Sequence, residues 1–231
     1  MAMRKYIAEA IGTFALVFAG TGAVVINKVS NGAVSSPGIA ITFGLVVMAM
    51  IYAFGESSGA HLNPAVTTGF FLARRFPGRW VVPYIASQLV GALVASVILR
   101  FLFGNIAYLG ATLPAGSELQ SFVLEIILSA LLMIVILCVA TGSKEQGLMA
   151  GIAIGGTVGL EAMFAGPISG ASMNPARSIA PAIVSGHLIS LWVYVAGPLI
   201  GAAIAVPCWL ATRVPKSADA QQIAQREEVT V

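Results

Sequence analysis

The sequence predicts an all-α polytopic membrane protein, with six transmembrane helices and two re-entrant half-helices arranged as an inverted repeat. Three observations carry that expectation. The 231 residues are 58% hydrophobic and 9% charged, with a mean hydropathy of +0.93, whereas a soluble domain has about 25% charged residues. Six apolar stretches reach the length of about 20 residues that a spanning helix needs. The triplet Asn63-Pro64-Ala65 returns as Asn174-Pro175-Ala176, each after a long apolar stretch.

The spans are expected at 5–27, 37–55, 80–103, 119–141, 147–164 and 188–212. The first follows Arg4 and begins at Lys5; its apolar run is long enough to span, so it reads as a helix rather than a cleaved signal. Two shorter apolar pieces, 63–72 and 174–184, cannot cross the bilayer as helices. Asn is a preferred N-cap and Pro is favoured at the first helical position, so each triplet reads as a helix start. Helix starts inside hydrocarbon must be buried in protein or face a water-filled path. Residues 1–212 are expected to form one channel unit, with repeats at about 4–103 and 119–212. Residues 213–231 read as a polar cytoplasmic tail.

Charge sets the orientation. With the N-terminus inside, Arg4, Lys5, Arg74, Arg75, Arg79, Lys144, Arg213, Lys216 and Arg226 fall on the cytoplasmic side, against Lys28 and Arg100 outside. Both termini are thus expected in the cytoplasm, in a bacterial-type plasma (inner) membrane. The net charge of +3 comes mostly from loops and does not point to nucleic acid. Cys138 and Cys208 lie in apolar runs, which favours packing over a disulfide. The Gly-rich spans fit close helix approach, with Gly12, Gly44, Gly91, Gly155 and Gly201 as expected crossing points.

The repeat is wider than the triplets. Residues 58–66 align with 169–177, and Glu9-Ala-Ile-Gly-Thr13 resembles Glu125-Ile-Ile-Leu-Ser129. Each half has three spans, an odd number, so the second half enters from the opposite side. The two half-helix N-termini then meet near the midplane. Each carries roughly half a positive elementary charge, which opposes cations. Asn63 and Asn174 each offer an NH2 donor to a solute oxygen. A water so held points its hydrogens away, which disfavours a proton wire. The chemistry suits a small neutral solute with oxygen lone pairs.

The duplicated motif, the six-span repeat and the Glu-x-x-x-Thr segment resemble the major intrinsic protein (aquaporin) superfamily over about residues 4–212. Residues 8–13, 44–48 and 164–178 are most similar to plant nodulin-like intrinsic proteins and their bacterial relatives. The resemblance implies an hourglass pore in each protomer and a homotetramer. It also implies an outer filter at Phe43, Ala162, Ala171 and Arg177. Arg177 aligns with Val66, so the repeat is broken there by a cation. An intramembrane Arg is by default a functional candidate; a structural role tying down loop carbonyls can coexist with it. Water-specific members have His at the position of Ala162. With methyl groups at Ala162 and Ala171, the opening is expected to admit glycerol, urea or metalloid hydroxides such as boric, silicic or arsenous acid. The chain departs from glycerol facilitators at Ser178, where they have Asp, and from many nodulin-like members at Phe43, where they have Trp.

Glu9 and Glu125 are expected to accept hydrogen bonds from the unwound backbone before each half-helix, against the alternative of a proton relay. The ring of His61 is expected to pack or bond locally. Glu56 is expected at the inner vestibule. Glu161, one residue before Ala162 and about 100° away on the helix, should face another helix, another subunit or the outer surface. Met48, Met50 and Met133 read as core. No cofactor, metal-ligand cluster or nucleophile–base pair stands out, so an enzyme is not expected. A passive channel for water and small uncharged solutes is the leading function. The alternatives are a water-selective channel, a secondary transporter, which also uses inverted repeats and broken helices, and a closed junctional protein.

Overall fold

Apolar sequence of membrane length becomes helix because lipid leaves no other partner for the backbone. In the computed structural model, which describes residues 2–143 and 147–213, the helices are α1 (Ala2–Val29), α2 (Ser35–Ser58), α3 (Pro64–Leu72), α4 (Val81–Phe103), α5 (Glu118–Thr141), α6 (Ala150–Ser169), α7 (Pro175–Ser185) and α8 (Leu191–Thr212). Helices α1, α2, α4 with the preceding turn Gly78–Trp80, α5, α6 and α8 are long and apolar enough to cross a membrane. No strand occurs among the described residues. Lys144, Lys216, Arg226 and the tail beyond Arg213 lie outside the described residues.

The boundaries differ from expectation chiefly at α6. The fifth span is expected over 147–164, yet the helix runs through Pro167 to Ser169. Proline removes one ladder hydrogen bond, the one its N–H would give to the Met163 carbonyl, and the helix ends two residues later.

Three close crossings tie the spans together. Gly91 of α4 faces the Ala10 carbonyl of α1, and Gly201 of α8 faces the Ile126 carbonyl of α5. A Cβ on Gly44 of α2 would stand 2.7 Å from the Gly155 carbonyl oxygen of α6. Small residues let backbones approach in lipid, where dispersion and packing replace the hydrophobic drive. Gly12 differs: it makes room for the Leu62 side chain rather than for another spanning helix.

The half-helices interlock the two repeats. Helix α3 of the first repeat packs mainly on α8 of the second, and α7 packs mainly on α4 of the first. The core between them includes Leu16, Val47, Leu132, Met133 and Ile154, and Met133 also fills the space beside Gly69. Large apolar side chains such as Val82, Phe101 and Leu119 stay exposed on the outside of the bundle, as a bilayer demands. Cys138 and Cys208 are free thiols on this exposed surface, so neither packs in the core as expected from its apolar run. Periodicity is weak in helices this uniformly apolar, and it does not separate the lipid face from the protein face.

Candidate channel and selectivity filter

Each half-helix begins with the same capped turn. Asn63 and Asn174 are extended, as residues before proline must be, and Pro64 and Pro175 take the first helical positions. Asn63 Oδ1 accepts from Ala65 N at 2.8 Å, and Asn174 Oδ1 accepts from Ala176 N at 3.0 Å. The two amides then reach across the repeat. Asn63 Nδ2 donates to the Met173 carbonyl at 2.7 Å, and Asn174 Nδ2 donates to the Leu62 carbonyl at 2.9 Å. One N–H of each amide is thus used to join the loops, which leaves the second N–H of each. The cross-loop bond was not legible in the sequence.

The loops before the triplets run through left-handed backbone at Ala60 and Leu62, and again at Ala171 and Met173. Non-glycine residues avoid this region at a cost of about 1–2 kcal/mol each. Buried carboxylates hold the strained segments. Glu9 accepts from Ser58 Oγ, His61 N, Leu62 N and Gln88 Nε2 at 2.8–2.9 Å. Glu125 accepts from Ser169 Oγ, Ser172 N and Met173 N at 2.8–2.9 Å. Sequence reasoning missed Gln88 and Tyr84, whose hydroxyl donates to the Ser58 carbonyl. A lone amide in an apolar span was the available signal.

A single cavity of about 770 Å³ connects these parts. Lys5, Glu56 and Trp80 line one end, and Asn63 and Asn174 line its middle. Phe43, Ala171 and Arg177 line it beyond the triplets. His61 borders the cavity; its Nδ1 lies 3.1 Å from Thr67 Oγ1 and its ring stacks on Phe70.

Arg177 is 4% exposed. Its Nη1 donates to the Gly110 carbonyl at 2.8 Å, and its guanidinium carbon lies 5.0 Å from the centre of the Phe43 ring. Its Nε–H has no hydrogen-bond partner among the described residues. Ser178, next in the chain, joins Thr112 Oγ1 at 2.8 Å and Ser172 Oγ at 2.5 Å. Ala162 is not among the cavity-lining residues; it is half-buried against the core, one turn beyond Val158, which does line it. Glu161 is 2% exposed within the protomer, so of the three surroundings expected for it the interhelical one is found. Neither of its oxygens has a hydrogen-bond partner among the described residues. Glu56 is exposed at the cavity mouth.

The family model described as Major intrinsic protein matches residues 1–209. The chain belongs to the major intrinsic protein family. Members of this family are channels, not enzymes. Relatives include Aquaporin NIP1-1 of Zea mays, 53% identical over 201 residues, covering 87% of this chain and 71% of the relative. Probable aquaporin NIP4-2 of Arabidopsis thaliana is 52% identical over 200 residues, covering 86% and 70%. Among solved structures, the aquaglyceroporin from Plasmodium falciparum superposes with a TM-score of 0.77 at 26% identity, covering 90% of this chain and 96% of that one. This member of the family is an integral membrane protein with the same all-helical architecture.

Proposed function

We propose that the protein is a passive channel for water and small uncharged solutes such as glycerol, urea or metalloid hydroxides, and that it excludes protons and ions. The observation that carries this reading is a largely apolar cavity inside the bundle, with polar groups placed at the two triplets. Two half-helix N-termini converge on it, and a buried, partly unpartnered Arg177 borders it. The converging N-termini and the guanidinium oppose cations. The amide N–H groups of Asn63 and Asn174 suit a solute oxygen. Phe43, Ala162, Ala171 and Arg177 form the filter in this reading, with two small walls that widen it. Glu9 and Glu125 act as supports of the pore loops rather than as a proton relay, because backbone and side-chain donors occupy their oxygens.

Residues 1–212 act as one channel unit. Both termini face the cytoplasm of a plasma membrane, in keeping with the charge bias. Cation–aromatic pairs gather at that end: Lys5 and Arg79 lie over Trp80, and Arg75 and Arg213 lie over Trp209. The relatives named above are plant proteins or a Plasmodium protein, so they lend no support to the bacterial-type membrane expected from sequence. Assembly as a homotetramer rests on the family resemblance.

A secondary transporter shares inverted repeats and broken helices, and flux kinetics separate the two. Solute flux into proteoliposomes is expected to rise linearly with the gradient, without saturation or coupling to an ion. Saturation at millimolar solute, or flux driven by a proton or sodium gradient, would establish a carrier instead.

A further inference from the structure

The filter Arg is held from outside the pore, and the holder is itself held. Ala107, Tyr108 and Leu109 take φ of 49°, 46° and 58°, and Gly110 follows at 73°. Left-handed backbone crowds the Cβ of an L-residue against the following carbonyl, so only single residues visit it routinely. Three in succession persist only where surrounding contacts over-determine them. On the inner side those contacts are plain. Leu109 is fully buried, and Gly110 lies so close to α1 that a Cβ there would stand 2.9 Å from the Thr21 carbonyl oxygen.

On the outer side Tyr108 is 45% exposed, so no pocket encloses it. It stacks on the His187 ring instead, with centroids 4.3 Å apart and planes 22° from parallel. His187 is fixed in turn: its N–H donates to the Ala182 carbonyl at 3.0 Å, at the C-terminal end of α7. The same end of α7 receives Arg100 Nη1 on the Val184 carbonyl and Asn105 Nδ2 on the Ser185 carbonyl. The loop after α4 is therefore strapped to the far end of the half-helix that carries Arg177 in its first turn. At its other end the loop delivers the Gly110 carbonyl to Arg177 Nη1.

We propose that Tyr108 and His187 are positioning residues of the filter: their stack on the outer face holds the left-handed turn at 107–110, and that turn sets where the Arg177 guanidinium sits. The inference rests on Arg177 being the filter cation. Neither residue touches the solute; each acts through the Gly110 carbonyl. With the stack gone, the turn relaxes toward ordinary backbone, the carbonyl moves, and the guanidinium follows it. Selectivity then changes, whereas a merely structural contact would lower all fluxes together.

The test compares Tyr108→Ala, His187→Ala, the double variant, Tyr108→Phe, His187→Phe and Arg177→Val in proteoliposomes, reading proton leak and the glycerol-to-water flux ratio. Tyr108→Ala and His187→Ala are expected to change both readouts by about threefold or more, the scale of coupling through packed neighbours. The double variant should be no worse than either single one, because the two act as a unit. The Phe variants keep a ring to stack and should behave as wild type. If Tyr108→Ala does not fold, His187→Ala and its Phe counterpart decide. Wild-type leak and ratio in the Ala variants, with a leaky Arg177→Val, would overturn the latch and leave the filter standing. Fluxes that fall in equal proportion would also overturn it, as would additive effects in the double variant. A tight Arg177→Val would instead remove the filter reading on which the latch depends.

Discussion

Replacing Ala162 with His is expected to cut glycerol and urea flux by about one to two orders of magnitude, while water flux falls far less. Ile154 and Val158 line the cavity from successive turns of α6, and Ala162 continues that row by one more turn. A ring there narrows the opening beside Arg177. Forcing a solute through a site too small for it costs about 1–3 kcal/mol, and each ~1.4 kcal/mol is a factor of ten in rate. The effect is steric, so it should appear for every solute larger than water, whatever its chemistry. Met163→His is the matched control, because Met163 lies on the exposed side of the same helix. Equal loss of water and glycerol flux in Ala162→His, or the same loss in Met163→His, would count against Ala162 as a filter wall.

Arg177→Val is expected to preserve the pore and raise proton or cation leak at least about tenfold, the result of losing only ~1.4 kcal/mol of barrier. Valine is a natural choice, since Val66 occupies the matching place in the first repeat and fits the first turn of α3. The substitution removes the charge, the contact with Phe43 and the bond to the Gly110 carbonyl. A buried carbonyl left without a donor costs about 1–3 kcal/mol, so thermal stability in detergent should fall as well. Proton flux in liposomes that stays at the wild-type level, with normal solute flux, would exclude Arg177 from charge exclusion.

The parts of this protein that were legible in its sequence are those where one residue type answers one local need. Asn before Pro in an apolar setting marks a capped helix start, and both half-helices begin where the triplets place them. Gly44, Gly91, Gly155 and Gly201 mark close crossings because nothing larger fits. Contacts between distant segments were less legible. Gly110 gives no sign that its carbonyl meets Arg177 across 67 positions. The preceding Ala-Tyr-Leu carries no residue that favours left-handed backbone, because tertiary contacts impose it. Glu161 was visible as an anomaly, but its surroundings depended on how α6 packs against its neighbours. The two cysteines were misjudged for a related reason: in a bilayer, apolar sequence faces lipid as readily as core.

The most direct measurement of the central claim is stopped-flow light scattering of proteoliposomes holding the wild-type protein, challenged with water, glycerol, urea and metalloid hydroxides in turn. A channel with one bulky and two small filter walls should pass water and several of these solutes well above the rate of protein-free liposomes, with no rise in proton leak. Water flux with exclusion of glycerol, urea and every metalloid hydroxide would contradict the account and establish a water-selective pore.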